Sequence, residues 1–422
     1  MLQSTNNTIY FKALHLDNVK CFKNTYTINF TDKDKNPNQW SVIIGNNNTG
    51  KTTLLKLVAG LQPKSVGNLV KDTEVNDDHR VAYVPTGFFY RGEIFGDSSG
   101  HVRAEFTIPL NKIYKDFVDS YYYSNESAGI AKNSEITDLI ICSYGTSRRT
   151  ASTSFNKSEI NDPLEDLIND KTELINTEEW LLQTDYAVKN GSAFAKKVYK
   201  NIEDVLIKSH ILPDIRNIRF TTDEHLKSFV EVDTIYGWVK LSSLGYGYQI
   251  TISWLADLAK RMFDRYPDLE NPLHGPAIVL VDEIDLHIHP EWQRKIIKYL
   301  SDLFPNTQFI VTAHSPLIVQ SAENVNLVML EKDEATGSIN IRQQFGSFQG
   351  WTVEEILREL MDLGEKTRSD RYLELMREFE DSLLEENYAG AKTAYEELDK
   401  ILSPSSHQRK VLQIQMSSLI PV

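Results

Sequence analysis

A glycine-rich stretch that follows an apolar run carries the clearest chemistry in the sequence. Gly45 opens it, Gly50-Lys51-Thr52 closes it, and the four residues between them are short and polar. Loops with this spacing hold phosphate groups through backbone N–H groups, because glycine leaves room for a polyanion. Their lysine reaches the outer phosphates, and their threonine hydroxyl ligates Mg²⁺. We therefore predict that ATP is bound by Gly45, Asn46, Asn47, Asn48, Thr49, Gly50, Lys51, Thr52 and Thr53.

Two adjacent carboxylates follow a second apolar run and suit the metal and the water of a phosphoryl-transfer site. Ala277–Val281 is apolar at every position, and Asp282 and Glu283 come directly after it. Asp282 is predicted to hold Mg²⁺ together with Thr52, directly or through water. Glu283 is predicted to be catalytic, polarising the attacking water as a general base or by orientation.

A histidine lies just beyond a third apolar run, Gln308–Thr312. A side chain at that strand end is placed to form a hydrogen bond with a γ-phosphate, so we predict a catalytic role for His314. His287 and His289 lie two residues apart with no further ligand types gathered nearby in sequence. Their spacing therefore does not predict a zinc site.

Short strands and helices must position these groups. The run Trp40–Ile44 predicts a strand buried on both faces, and Thr53–Ala59 has the apolar spacing of a helix. The phosphate loop is thus expected between a strand and a helix. Residues 10–30 alternate as strands do, whereas residues 158–210 and the acidic residues from 351 onward have helical patterns.

Composition is that of a globular protein without a membrane span. The chain has 422 residues, of which 41% are hydrophobic, and a net charge of −14. No apolar run approaches the roughly 20 residues that cross a bilayer, and the first residues lack a signal-peptide pattern. Cys21 and Cys142 suggest no disulfide framework, so we expect a cytoplasmic protein with no membrane partner. The short basic clusters are interpreted as solvated surface: Arg148-Arg149 and Lys196-Lys197 with Lys200.

The order of these motifs resembles the ABC-type ATPases, and more closely their non-transporter branch with SMC-like and RecF-like heads. Asp282–Pro290 has the sequence Asp-Glu-Ile-Asp-Leu-His-Ile-His-Pro, and Trp292-Gln293 and Phe304-Pro305 follow it. Together with Thr312–Pro316, these residues resemble the ATPases of bacterial anti-phage systems, namely PtuA of Septu and the retron-associated ATPases.

This resemblance implies an α/β fold, an ABC-type P-loop NTPase head. Such a head has a central, mostly parallel sheet and an antiparallel β subdomain; here a helical insert and a helical C-terminal tail are expected with it. Four segments are expected: residues 1–62 as the N-terminal part of the head with the phosphate loop, 63–237 as remaining head strands and a mainly helical insert, 238–330 as the C-terminal part of the head, and 331–422 as an acidic helical region.

The resemblance also implies a signature element within Leu241–Gln249. Family members close this element over the γ-phosphate bound by a partner subunit, so ATP would lie between two heads of a homodimer or a higher homo-oligomer. Ser243 and Gly245 would make that contact, although Gly247 offers a competing register. Asp285 would lie in the D-loop segment that communicates across the dimer interface.

The chain departs from the family pattern at three points. Asn48 stands where the family usually has glycine, and asparagine tolerates the left-handed backbone better than most residues. The signature does not have the Leu-Ser-Gly-Gly form, and no glutamine matches the Q-loop of the family. Slow hydrolysis, or ATP acting as a switch, therefore stays open.

An ATPase subunit of an anti-phage defence complex is the function that the resemblance favours. The residues after Val328 lack the Asp-x-Asp pair of a fused Toprim nuclease, and no HNH-like cluster is evident. The expected effector is thus a separate nuclease chain of the HNH type, resembling PtuB, and in retrons a reverse transcriptase with its DNA or RNA. One alternative is a RecF-like or SMC-like DNA-repair ATPase. The other is the ATPase of an ABC transporter, against which the long insert argues.

Overall fold

The computed structural model describes most of the chain in several stretches. They are residues 10–60, 80–81, 101–110, 113–115, 131–132, 140–151, 162–208, 212, 215–364 and 367–419. Contacts divide the chain into two compact units, Met1–Val353 and Glu354–Val422. Across these stretches, none of the helices combines the length and apolarity that a bilayer crossing requires.

The first unit alternates strands and helices along the chain. Its first half contains β1 (Tyr10–Val19), β2 (Phe22–Asn29), β3 (Trp40–Gly45), α1 (Lys51–Ala59), β4 (Arg80–Val81), β5 (His101–Leu110), β6 (Ile113–Lys115), β7 (Ala131–Lys132), β8 (Ile141–Tyr144), β9 (Arg149–Thr150), α2 (Glu165–Ile168), β10 (Glu173–Leu174), α3 (Thr177–Lys189) and α4 (Ala193–Glu203). Its second half contains β11 (Asn217–Thr222), β12 (Ser228–Thr234), β13 (Gly237–Lys240), α5 (Tyr246–Arg265), β14 (Ala277–Val281), α6 (Pro290–Gln293), α7 (Ile296–Leu303), β15 (Thr307–Thr312), α8 (Pro316–Ser321), β16 (Val325–Lys332) and β17 (Ile339–Gly346).

A six-stranded sheet in the order β17-β16-β3-β15-β14-β8 is the centre of this unit. All its pairs are parallel except β16 with β17, which is antiparallel. β14 and β15 are buried at every position, because helices and a second sheet cover a parallel sheet on both faces. The strands that the apolar runs predicted are therefore confirmed, and their carboxyl ends meet at one edge.

An antiparallel sheet in the order β2-β1-β5-β6 accompanies the central sheet. Side chains from β1, α1 and the central sheet, among them Leu14, Leu54 and Ile310, belong to one apolar core and are fully buried. The predicted mixed α/β class is confirmed: the central sheet is mostly parallel, and an antiparallel β sheet lies with it.

The middle of the chain contains helices followed by a further antiparallel sheet. α2, α3 and α4 lie within the stretch predicted as helical, but residues 217–240 form the antiparallel sheet β11-β12-β13. Its outward side chains include Phe229 and Trp238, and the cations Lys240 and Arg219 lie over these two rings respectively. Most of residues 63–135, the first part of the segment expected to hold remaining head strands, lies outside the described residues.

The first unit extends past residue 330, where the head was expected to end. β16 continues to Lys332, and β17 pairs with it along its whole length, so both strands belong to the central sheet. The four segment boundaries stay predictions, whereas the contacts separate the chain between Val353 and Glu354.

The second unit is helical, as the pattern from residue 351 predicted. It contains α9 (Val353–Glu359), α10 (Asp370–Leu384), α11 (Tyr388–Ile401) and α12 (Gln408–Ser417). Side chains that recur at helical spacing, such as Phe379, Leu398 and Leu412, meet in a small core of their own. Ser369 and Asn387 cap α10 and α11 with their side chains.

This core makes a prediction for the second unit. Phe379→Ala is expected to lower the local free energy of unfolding by about 3–5 kcal/mol, because the ring is fully buried and its loss leaves a cavity. Leu384→Ala on the same helix, where the side chain is 83% exposed, is expected to change it by at most about 0.5 kcal/mol. Hydrogen exchange of α10–α12 in the full chain measures both, and equal effects would contradict the assigned core.

Candidate functional site

The predicted phosphate loop lies between β3 and α1, at the carboxyl edge of the central sheet. Gly50 has a φ of +92°, and a Cβ there would lie 2.6 Å from Cys21 Sγ, so glycine is required by the fold itself. Asn48 also adopts a left-handed conformation, with φ +63°. Asparagine is one of the few residues with a side chain that accepts this backbone readily. The glycine-to-asparagine departure is thus compatible with a formed loop.

Lys51 folds back over its own loop. Its Nζ donates to the carbonyl oxygens of Gly45 at 2.8 Å and Asn46 at 2.9 Å. Burial lowers the pKa of Lys51, while the nearby carboxylates Asp282 and Glu283 oppose that shift. The ammonium group therefore lies inside the loop with an anionic neighbourhood on one side.

The carboxylate of Asp282 joins the ends of β14 and β15 to the start of α1. Thr52 Oγ1 donates to its Oδ2 at 2.7 Å, and Thr312 Oγ1 donates to its Oδ1 at 2.6 Å. Asp282 is 3% exposed, and both of its oxygens have a hydrogen-bond donor, as a buried carboxylate requires. The structure thus brings the two predicted metal ligands, Thr52 and Asp282, into direct contact. Thr312 was not singled out as a site residue, because a threonine at a strand end carries no distinctive spacing.

Glu283 has an unusual backbone for a residue with a long side chain. Its φ is +48°, and its N–H donates to Thr312 Oγ1 at 2.7 Å. Its carboxylate remains about one third exposed, and Oε1 lies 3.9 Å from His314 Nε2. That separation is too long for a hydrogen bond but places both predicted catalytic side chains at one opening.

Asp285 acts within its own chain. Its carboxylate accepts the backbone N–H groups of His314 and Ser315, the latter at 2.7 Å. Gln293 strengthens this turn, since its Oε1 accepts the Ser315 hydroxyl and its Nε2 donates to the Asp285 carbonyl oxygen. Asp285 therefore fixes the turn that carries His314. Its expected role across a dimer interface stays a prediction.

The predicted signature element forms a short helical turn followed by α5. Ser243 and Gly245 are exposed, and Gly245 is the residue before the first turn of α5. A Cβ on Gly245 would meet nothing nearer than 4.0 Å, whereas a Cβ on Gly247 would lie 2.3 Å from the carbonyl oxygen of His287. Gly247 is thus occupied by packing within the chain, which favours Gly245 as the residue available to a ligand. Within the described stretches, no hydrogen bond joins Ser243 or Gly245 to the phosphate loop.

Arg148 contradicts the interpretation of its cluster as solvated surface. Its side chain is 1% exposed and lies beside the two acidic site residues, where it donates to the backbone carbonyl oxygens of Asp282 and Glu283. Arg149, the next residue, is exposed as expected. Two adjacent arginines give no sign in sequence of which one is buried, so this site residue was missed.

His287 and His289 have structural contacts. The ring of His287 meets the Tyr246 ring edge-on with centroids 5.1 Å apart, and His289 Nδ1 accepts the Glu291 N–H at the start of α6. Within the described ranges, no group of three or more metal-ligating side chains is gathered. The Thr52–Asp282 pair is thus the place where the residues present fit a divalent cation, because both supply hard oxygen atoms.

Comparison with known proteins identifies several relatives. The Septu protein PtuA of Bacillus thuringiensis is 38% identical over 213 residues, covering 48% of this chain and 52% of that protein. The retron Ec83 probable ATPase of Escherichia coli is 31% identical over 196 residues, or 46% of this chain and 34% of that protein. The retron Vc95 probable ATPase of Vibrio cholerae is 32% identical over 228 residues, or 50% and 43%. The chain thus spans between about a third and a half of the length of these curated relatives.

Solved structures include the SMC head domain from Thermotoga maritima, with a TM-score of 0.39 and 15% identity, over 79% of this chain and 98% of that chain. A family model described as AAA domain, putative AbiEii toxin, Type IV TA system matches residues 41–320. The matched range contains the phosphate loop, the acidic pair and the strand-end histidine, and it covers more than half of the sequence. The chain therefore belongs to this family of AAA domains.

Proposed function

We propose that this chain is the ATP-binding and ATP-hydrolysing subunit of a bacterial anti-phage defence complex. The observation that carries the proposal is the Asp282 carboxylate, which bonds the phosphate-loop Thr52 on one side and Thr312 on the other. The side chains of Glu283 and His314 lie beside this group and are partly exposed. This is the arrangement of donors, metal ligands and a base that phosphoryl transfer to water requires.

Each residue of the site has a distinct part in the proposal. Within the described residues, the backbone N–H groups of Asn47, Asn48 and Gly50 have no protein acceptor and are available to phosphate oxygens. Lys51 would exchange its two carbonyl partners for the outer phosphates. Mg²⁺ would neutralise charge that develops on the phosphates, and Thr52 with Asp282 would hold it, directly or through water.

Hydrolysis requires a water molecule to be oriented and partly deprotonated. Glu283 would do this, because its carboxylate is accessible and its backbone is fixed beside Asp282. His314 would donate a hydrogen bond to the γ-phosphate, and Asp285 holds the backbone from which it projects. The rate of turnover, fast or slow enough for ATP to act as a switch, would depend on how often Glu283 and His314 align with the attacking water and the γ-phosphate.

Completion of the site by a second copy of the chain is part of the proposal. Ser243 and Gly245 are exposed at the start of α5, a helix whose N-terminus favours anions, and they would cover the γ-phosphate of the partner subunit. The active form would then be a homodimer or a higher oligomer. Relatives named for Septu and for retrons support a role in a defence complex. The effector would be a separate chain, for which an HNH nuclease is the candidate, and in retrons a reverse transcriptase with its nucleic acid would take part.

Loss of the phosphate-loop lysine tests nucleotide binding. Lys51→Ala is expected to weaken Mg²⁺–ATP affinity by at least about 30-fold, roughly 2 kcal/mol, because a charge-assisted contact to phosphate is lost. Isothermal titration with a slowly hydrolysed ATP analogue measures the affinity. Lys56→Ala on the same helix is the matched control and should bind like the wild type. Unchanged affinity in Lys51→Ala would refute the loop assignment.

The acidic residue after Asp282 tests hydrolysis separately from binding. Glu283→Gln is expected to slow phosphate release by about 100-fold or more, since the amide cannot accept a proton from water. Its ATP affinity should stay within about threefold of the wild type, because neutral glutamine keeps the size of the side chain. Glu323→Gln, at an exposed position, serves as the control. Turnover at the wild-type rate in Glu283→Gln would exclude Glu283 as the water-orienting group.

The two glycines of the signature element separate folding from function. Gly247→Ala is expected to lower the free energy of unfolding by about 1–3 kcal/mol, and with it the melting temperature, because its Cβ would press on the His287 carbonyl oxygen. Gly245→Ala is expected to keep the melting temperature but lose hydrolysis. Mixing Gly245→Ala with Lys51→Ala protein should restore part of the activity, because one site of the mixed dimer then has both intact halves. No recovery in a mixture shown to contain mixed dimers would argue against a shared site.

A further inference from the structure

Arg148 is a buried cation that no step of the proposed mechanism uses. It follows β8, the strand that neighbours β14 in the central sheet, and it lies in the turn before β9. Its side chain is 1% exposed and its φ is +39°. Burying a guanidinium group is unfavourable unless its N–H groups have partners, so its contacts indicate why it is there.

Those contacts converge on the backbone of the two acidic site residues. Arg148 Nη2 donates to the carbonyl oxygen of Asp282 and, at 3.0 Å, to that of Glu283. Its Nε donates to the carbonyl oxygen of Gly145 at 2.8 Å, which closes the turn on itself. Neither acidic side chain is bonded by the guanidinium, so Arg148 leaves their carboxylates available to metal and water.

Arg148 bonds the backbone of Glu283, the residue with the left-handed conformation. Glu283 has a φ of +48°, a conformation that L-residues other than glycine and asparagine adopt rarely. Three contacts hold it: Thr312 Oγ1 accepts its N–H, and the Leu286 N–H and Arg148 both donate to its carbonyl oxygen. The direction in which the Glu283 side chain leaves the strand end therefore depends on all three.

The nearby acidic residue that attracts Arg148 most strongly is Asp166, which is 3% exposed. Asp166 Oδ2 accepts the Gly145 N–H at 2.7 Å, in the same turn that Arg148 closes. Burial lowers the pKa of Arg148 to about 10, against the attraction of Asp166, so the guanidinium stays charged at neutral pH. A charged donor gives stronger hydrogen bonds to carbonyl oxygens than a neutral one does.

The turn itself is anchored to α5. On one side of it, the Tyr144 hydroxyl donates to Asp257 Oδ2 at 2.9 Å. On the other side, the Thr150 hydroxyl forms a hydrogen bond with the Ser253 hydroxyl. Both α5 residues are buried. Arg148 thus projects from a segment that is fixed at both ends, which is what a residue that positions another residue requires.

We propose that Arg148 is a positioning residue for hydrolysis, which holds the Asp282–Glu283 peptide in the left-handed conformation that presents the Glu283 carboxylate to water. This inference rests on the proposed ATPase function. It adds a residue that acts through Glu283 and touches neither the nucleotide nor the metal. Loss of Arg148 should therefore impair turnover and spare binding.

Single substitutions test this separation. Arg148→Met is expected to lower kcat at least 30-fold while the affinity for Mg²⁺–ATP changes less than threefold. Arg148→Lys keeps the charge but cannot span the same carbonyl oxygens, so an intermediate loss of about 3- to 10-fold is expected. Arg149→Met, at the exposed neighbouring position, is the matched control and should match the wild type in both measurements. A Met variant with wild-type kcat, or one that loses affinity as strongly as kcat, would overturn the proposal.

A double variant tests the route through Glu283. In the Glu283→Gln background, Arg148→Met is expected to slow hydrolysis less than threefold further, because the group that it positions is already inactive. A further loss as large as in the wild-type background would show that Arg148 acts elsewhere and would overturn the inference. If Arg148→Met does not yield folded protein by circular dichroism, Arg148→Lys alone and with Glu283→Gln decides by the same criteria.

Different results would reject the proposed ATPase function itself. A wild-type chain without hydrolysis, or Glu283→Gln protein that turns over at the wild-type rate, would reject the proposed ATPase site before Arg148 is considered. A large effect of Glu283→Gln together with no effect of Arg148→Met would reject the positioning role alone.

Discussion

The hydrogen bonds on the Asp282 carboxylate are the constraint on which the rest of the site depends. A carboxylate that is 3% exposed needs a donor for each oxygen, and it finds them in Thr52 and Thr312. These donors stand at the start of α1 and the end of β15, so one side chain ties the phosphate loop, β14 and β15 together. The parallel register, in which Val281 pairs with Val311, places the two strand ends side by side.

Buried charged residues form two groups near the end of β8. Arg148 lies with Asp166 near the turn, while Asp257 accepts from Arg261 at 2.6 Å and from Tyr144. The Asp257–Arg261 ion pair adds little net stability compared with apolar residues, but breaking it leaves a buried charge at a cost of about 3–5 kcal/mol. The value of both groups here is geometric: they fix a polar turn against the acidic residues, where apolar side chains could not grip backbone carbonyl oxygens.

Apolar runs in the sequence predicted the strands of the central sheet that lead into the site. The strands β3, β14 and β15 follow from continuous apolar runs, and the end of each run marks where a polar side chain enters the site. Arg148 could not be found in this way, because its burial depends on Asp166 and on carbonyl oxygens more than 130 positions away in sequence. The sheet β11-β12-β13 follows the stretch 158–210 with helical spacing, and none of its strands was predicted individually. Asp285 bonds the turn of His314 within its own chain, a contact that its sequence spacing does not reveal.

Helix α5 links two regions that the sequence analysis treated separately. It begins after Gly245, and it contacts the turn of Arg148 through Ser253 and Asp257, about 12 and 18 Å along the axis at 1.5 Å per residue. Because one helix connects these contacts, a displacement of its first turn along the axis would reach Tyr144 and Thr150. If Gly245 contacts the nucleotide of a second copy, closure of that contact reaches Glu283 through Arg148. The same helix would then report on one nucleotide while setting the hydrolytic geometry for another.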